Sequence, residues 1–220
     1  MTAILDRDAA LRSSDVVDSD HPEVAAVAAR IVGAATDDAG RVEALFTWVR
    51  DNITYDMGPV LTDRVDWSAS STLARGYGFC QQKAILFAAL LRSVSIPSGL
   101  GIEAIFDHKI PPHFAAYMGG RLIPLHGYTL VLLDGSWQRL DATLDTALCE
   151  RKGYRVVQFV PGIDQLLPAT DIHSQPHIDH IDVVGEWSDL PDDIVTATLD
   201  LPYLHDDSYR RMATKHGPGM

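Results

Sequence analysis

Residues 76–92 set a thiol where a nucleophile can be made. The stretch Gly76-Tyr77-Gly78-Phe79-Cys80-Gln81-Gln82-Lys83 is a glycine-hinged turn that runs into an apolar segment ending at Arg92, so Cys80 falls in the first turn of a helix. The unpaired N–H groups and positive dipole end of a helix start favour the thiolate, the reactive form of cysteine. No charge stands between Lys83 and Arg92, which predicts a helix apolar on nearly every side and buried in the core.

A cysteine nucleophile needs an imidazole to take its proton and a carboxylate to orient that imidazole. The segment from His126 to Asp141 offers both. Asp134-Gly135 between two strand-like runs is a two-residue hairpin signal. It pairs Leu133 with Ser136 and sets Asp141 opposite Tyr128. His126 then lies diagonally from Asp141 on the same face, at roughly 7 Å between backbones, within reach of a ring and a carboxylate. A slip of one residue would send the two to opposite faces.

The remaining chain must supply the frame. Residues 1–20, rich in Asp and Ser, read as a mobile arm ahead of one domain over 21–220. Pro22 opens a helix over 24–32, and Val42, Leu45, Phe46 and Val49 mark a second, amphipathic one. Residues 56–70 form a long connection, and 107–120, with two prolines and two glycines, a rim or lid loop. Strands are expected at 100–106, on both arms of the hairpin, at 154–160 and at 178–184, a short helix around Cys149, and a terminal helix over 203–214. Helices first and strands around one buried helix predict an α+β fold.

Composition narrows the partners. The 220 residues are 46% hydrophobic and 22% charged, ordinary for a globular protein, with a net charge of −12 and no basic run. This charge disfavours nucleic acid and anionic membranes. The acidic start lacks the pattern of a signal peptide, and no apolar run reaches bilayer-spanning length, so a cytoplasmic protein with free thiols is expected. Cys149, beside Glu150 and without a glycine turn, reads as a small buried hydrophobe.

Gly78-Phe79-Cys80 with Ala84, the run from Leu90-Leu91-Arg92 to Ile96-Pro97, His126 on a strand, and Trp137-Gln138-Arg139-Leu140-Asp141-Ala142-Thr143 together resemble the catalytic core of the transglutaminase-like superfamily over about residues 40 to 145. The resemblance implies a papain-like α+β fold with Cys80 as nucleophile, His126 as base and Asp141 as orienter. Tyr128 stands where the family often has tryptophan, and Ala142 replaces the usual proline after the aspartate; neither change removes a catalytic group. By analogy with an upstream tryptophan of true transglutaminases, Trp67 is a donor to the oxyanion, alongside the backbone N–H of Cys80. A loop anchor is the other reading of Trp67.

The function expected is cysteine-dependent acyl transfer from an amide or thioester through an acyl-enzyme, on a small or carrier-bound substrate. Hydrolysis, transamidation and Dieckmann-type cyclisation all fall within the superfamily's range. The alternatives are a peptidase or amidase on peptides and a non-catalytic binding module. Tyr77, Phe114, Tyr117 and Tyr128 are the residues expected to contact substrate, with a partly apolar entrance suited to neutral or fatty acyl groups. No cofactor is called for. His173, His177 and His180, interleaved with Asp171, Asp179 and Asp182, fit no standard zinc spacing, so no metal is expected.

Overall fold

The apolar run after Cys80 becomes α4 (Cys80–Ser93), buried along its whole length from Cys80 to Arg92, and the fold is assembled around it. The computed structural model describes residues 5–56 and 64–201. Ahead of α4 come α1 (Pro22–Val32) and α2 (Asp38–Asn52), both packed on it. Asp37 caps α2 by accepting the Gly40 N–H at 2.8 Å. A short α3 (Ala69–Arg75), capped by Ser68, ends at Gly76 in the left-handed region, φ 74°, where glycine carries no Cβ penalty. Two residues on either side of this helical layer, β1 (Thr54–Tyr55) and β2 (Tyr77–Gly78), pair in parallel and deliver the chain to Cys80.

On the other side of α4 lies an antiparallel sheet of four strands, β3 (Ser98–Asp107), β4 (Leu122–Leu133), β5 (Ser136–Leu140) and β6 (Ile178–Trp187), in the order β5-β4-β3-β6. Asp134 and Gly135 both have positive φ, 50° and 79°, and Leu133 pairs with Ser136. This is the two-residue turn that the Asp-Gly pair predicts. The mixed helix and sheet architecture is α+β, with a buried helix against an antiparallel sheet.

Several elements differ from the sequence expectation. Residues 5–20 are packed into the body: Ala10, Val16 and Val17 are fully buried, and Arg92 donates to the Arg12 carbonyl at 2.6 Å. So few apolar residues give no period to read, yet they suffice to seat the segment. The rim loop contains a helix, α5 (Pro112–Met118), opened by the second proline and closed by Gly119 at φ 78°. Residues 154–160 alternate as a strand would, with Val157 and Phe159 buried, but find no sheet edge; Arg50 takes the Val157 carbonyl at 2.8 Å instead. The short helix around Cys149 is α6 (Thr146–Lys152), and α7 (Asp192–Leu199) follows the sheet. The helix expected over 203–214 lies outside the described residues, as does part of the 56–70 connection.

Lys83 is the unexpected member of the core. Its ammonium, with no exposed surface, donates to the carbonyls of Arg50 at 3.1 Å and Ile53 at 2.6 Å, closing the C-terminal end of α2. Burial pulls its pKa from 10.5 down to about 7, against the opposing pull of Asp145 and Asp141. The folded chain therefore holds fewer protons than the unfolded chain between about pH 7 and 10, and this group's penalty on stability falls as pH rises through that window. The unfolding free energy of the wild type relative to Lys83→Met is expected to rise by about 2 kcal/mol between pH 7 and pH 9, measured by urea unfolding. A difference that does not change with pH would show that Lys83 keeps its charge in the core.

Candidate active site

Cys80 is the first residue of α4 and is nearly buried, 6% exposed. Phe79 ahead of it is extended, and its N–H is taken by the Gln82 side chain at 3.3 Å, so the turn is held from within the helix. The start of α4 is then fastened to β4. Gln81 donates to the Leu125 carbonyl at 2.8 Å, and the Thr129 hydroxyl donates to the Ala84 carbonyl at 3.0 Å. Gly127 lies between these two bonds. A Cβ there would stand 2.8 Å from the Gln81 Cα, so only glycine allows strand and helix to meet this closely.

This contact brings His126 to the thiol. The imidazole Nε2 lies 2.6 Å from Asp141 Oδ2, and the Cys80 thiol is the second group that acts on the ring. His126 and Asp141 are both buried, at 3% and 1% exposure. The register that places them is the one expected: Thr129 pairs with Leu140, which sets Tyr128 opposite Asp141 and His126 one diagonal away. Asp141 is fixed in turn by the Thr143 N–H, which donates to Oδ1 at 2.8 Å. The alanine of Asp141-Ala142-Thr143 thus keeps the turn that the more usual proline would stiffen.

Electrostatics favour the ion-paired form. Burial opposes a charge on His126, but Asp141 and Cys80 outweigh it and carry the histidine pKa well above the ordinary value. Burial likewise opposes the Asp141 carboxylate, and the imidazolium outweighs it, lowering that pKa. An imidazolium facing the sulfur is the partner a thiolate requires. Cys149 is 1% exposed, with burial and then Asp145 pushing its thiol up to about 11.

Trp67 sits behind the nucleophile turn, edge-on to Phe79 with ring centroids 5.4 Å apart. It is fully buried, and its indole Nε1 has no hydrogen-bond partner among the described residues. A buried unpaired donor costs free energy.

A cleft of about 650 Å³, open solvent included, runs outward from His126. Its walls include Ile105, Ile110, Phe114, Ile123, Leu144 and Ile178, with Asp107, Lys109, Tyr154 and Lys152 as polar members. Of the residues expected to contact substrate, Phe114 lines this cleft from α5, while Tyr117 stacks behind it, centroids 6.3 Å apart. Two others fall elsewhere. Tyr128 is 1% exposed, lies over Gly101 and donates its hydroxyl to Glu186 at 2.9 Å, so it has no surface to offer a substrate. Tyr77 on β2 does not line the cleft. Asp107 and Tyr154, which do, carry no motif and are brought there only by the ends of β3 and α6.

The histidine cluster at 173–180 is dispersed by the sheet. His180 pairs with Glu103 at 2.9 Å, Asp179 with His108 at 2.8 Å, and Asp171 with Lys109 at 2.8 Å, while His177 stacks on Tyr154. Among the described residues no group of three or more His, Cys, Asp or Glu is gathered to hold a metal ion, and no helix is long and apolar enough to cross a membrane.

A thiol at the start of a buried helix, facing an imidazole and a carboxylate from neighbouring strands, is the architecture of a cysteine-dependent enzyme on a papain-like α+β frame. The chain belongs to the transglutaminase-like superfamily, whose profile matches residues 25–142. No curated protein matches it. Among solved structures it is similar to a proposed cysteine protease from Cytophaga hutchinsonii, with TM-score 0.49 and 22% identity over 84% of this chain and 57% of that one. It is also similar to the periplasmic domain of TgpA from Pseudomonas aeruginosa, with TM-score 0.44 and 17% identity over 63% of this chain and 48% of that one. The arylamine N-acetyltransferase of Mycobacterium abscessus follows at TM-score 0.40 and 16% identity, over 60% of this chain and 46% of that one. The chain thus spans less than two thirds of the length of each.

Proposed function

We propose that the protein is an acyltransferase or hydrolase that works through a Cys80 acyl-enzyme, with His126 as acid and base, Asp141 as its orienting partner, and the Cys80 N–H and Trp67 Nε1 as donors to the oxyanion. The observation that carries this reading is the 2.6 Å His126–Asp141 bond, with the Cys80 thiol at the start of α4 acting on the same ring. The thiolate attacks the carbonyl carbon of an amide or thioester. As the bond to the leaving group breaks, the imidazolium gives it a proton. His126 then takes a proton from the acceptor, which displaces the thiolate from the acyl group. Water as acceptor gives hydrolysis, an amine gives transamidation, and a carbanion within the acyl chain gives ring closure.

Small or carrier-bound acyl groups are the substrate class we favour, because the cleft beside His126 is narrow and mostly apolar. The net charge of −12 supports a role away from nucleic acid and anionic membranes, and the two free thiols support a cytoplasmic setting.

Iodoacetamide at pH 7 is the direct test. A thiol held at about pKa 11 is only about one part in 10⁴ thiolate at that pH, so Cys80 is expected to be alkylated at least 100-fold faster than Cys149, as read by peptide mass. A panel of acyl thioesters should leave a trapped acyl group on Cys80, and Cys80→Ala should trap none while melting normally. Equal alkylation of the two cysteines would favour the non-catalytic binding module of the same fold.

A further inference from the structure

The cleft beside His126 is apolar with one anionic point. Asp107, at the end of β3, lines it, and accepts the Lys109 N–H on Oδ1 at 2.7 Å. The backbone of Ile110 also hydrogen-bonds to the carboxyl, and no side-chain cation is paired with it among the described residues. Lys109 does not neutralise it, since that ammonium is held by Asp171 at 2.8 Å. Lys152 also reaches the cleft but is exposed, where water and salt screen it.

Other polar groups converge on the same place. Tyr154 follows α6, lines the cleft, and makes no hydrogen bond through its hydroxyl among the described residues. Burial, and then the Asp107 charge, push that phenol up to about 12, so it remains a donor in the cleft. Its ring is backed by His177, which is 1% exposed and has neither ring nitrogen paired. Burial raises the Asp107 pKa against the hydrogen bonds of the Lys109 and Ile110 backbone, and the carboxyl lines the same cleft as His126. A half-buried carboxylate held by backbone N–H groups and paired with no side-chain cation gains from a cation that enters the cleft.

Resting on the acyl-transfer reading, we propose that the acyl group this cleft accepts carries a protonated amine, with its apolar body against Phe114, Ile123 and Ile178 and its ammonium on Asp107. The substrate class is then an amino-bearing apolar acyl thioester or amide, and Asp107 is the residue that selects it from plain fatty acyl groups.

The test uses two matched pairs of N-acetylcysteamine thioesters: leucyl against 4-methylpentanoyl, and 6-aminohexanoyl against hexanoyl. Acylation of the full-length protein is followed by intact mass. In the wild type at least one amino member should acylate 10-fold or more faster than its partner, and the pair that shows it reports where along the chain the amine sits. Asp107→Asn should reduce that ratio to near one. Tyr154→Phe should lower the ratio in the same direction while leaving the carboxylate in place. Ratios near one for both pairs in the wild type, or a ratio unchanged in Asp107→Asn, would overturn the assignment of Asp107 while the acyl-enzyme itself stands. No acylation by any of the four, with Cys80 no more reactive to iodoacetamide than Cys149, would remove the acyl-transfer reading and this inference together.

Discussion

Replacement of Asp141 by asparagine is expected to slow acylation of Cys80 by about 10⁴-fold, the scale seen when a triad carboxylate is made neutral. Asparagine keeps the shape and a hydrogen bond to the ring. It removes the charge that, with Cys80, holds the His126 pKa well above its ordinary value, and so removes the imidazolium that must protonate the leaving group. Stability should carry the same signature. The raised histidine contributes most below its unfolded value of 6.5, and its share is lost as pH rises through the higher folded value. The lowered aspartate contributes above 3.8, and its share is lost as pH falls through the lower folded value. The pair is therefore fully in force between about pH 4 and pH 6.5, and the variant should lose about 3 kcal/mol there, and less as pH rises through the raised histidine value. Single-turnover acylation and thermal melts at pH 5.5 and pH 9 measure both effects. An asparagine variant that keeps more than a tenth of the wild-type rate would take Asp141 out of the mechanism.

The constellation was legible because its residues sit on local signals. A glycine turn before an apolar run places Cys80 at a helix start, and Asp134-Gly135 sets a register that period two extends to His126 and Asp141. Each inference needed only a dozen or so neighbouring residues. The pieces that were not legible are those fixed by distant parts of the chain. Val157 and Phe159 alternate like a strand, but a strand exists only where another pairs with it, and the outer edge of β5 is met at Leu140 by Gln165 instead. Tyr128 points away from any substrate because Gly101, 27 positions earlier, leaves room for its ring on the sheet. Asp107 and Tyr154 reach the cleft through the sheet and the end of α6, and neither carries a motif. The N-terminal segment is held by three small apolar residues and by Arg92, which no periodicity announces.

Gly127→Ala is expected to lower activity by about 10²-fold with a stability loss of about 1–3 kcal/mol. The reason is steric rather than conformational. The new methyl would meet the Gln81 Cα and Cγ at 2.8 Å and the Gln81 nitrogen at 3.1 Å, and two of these three atoms are backbone that cannot rotate aside. Strand β4 and the start of α4 must then part by up to about 1 Å, a displacement large enough to cost two orders of magnitude in a proton-transfer geometry. Gly127 is next to His126 and Gln81 is next to Cys80, so the separation falls on the thiol–imidazole contact. Gly135→Ala is the control. Its φ of 79° makes alanine strained in the hairpin turn, but nothing lies within 4 Å, so stability should fall by about 1 kcal/mol with acylation unchanged. Rates and melts of the two variants side by side separate close approach from turn strain. If Gly127→Ala acylates as fast as Gly135→Ala, the tight seating of the helix start on β4 does not set the distance between Cys80 and His126.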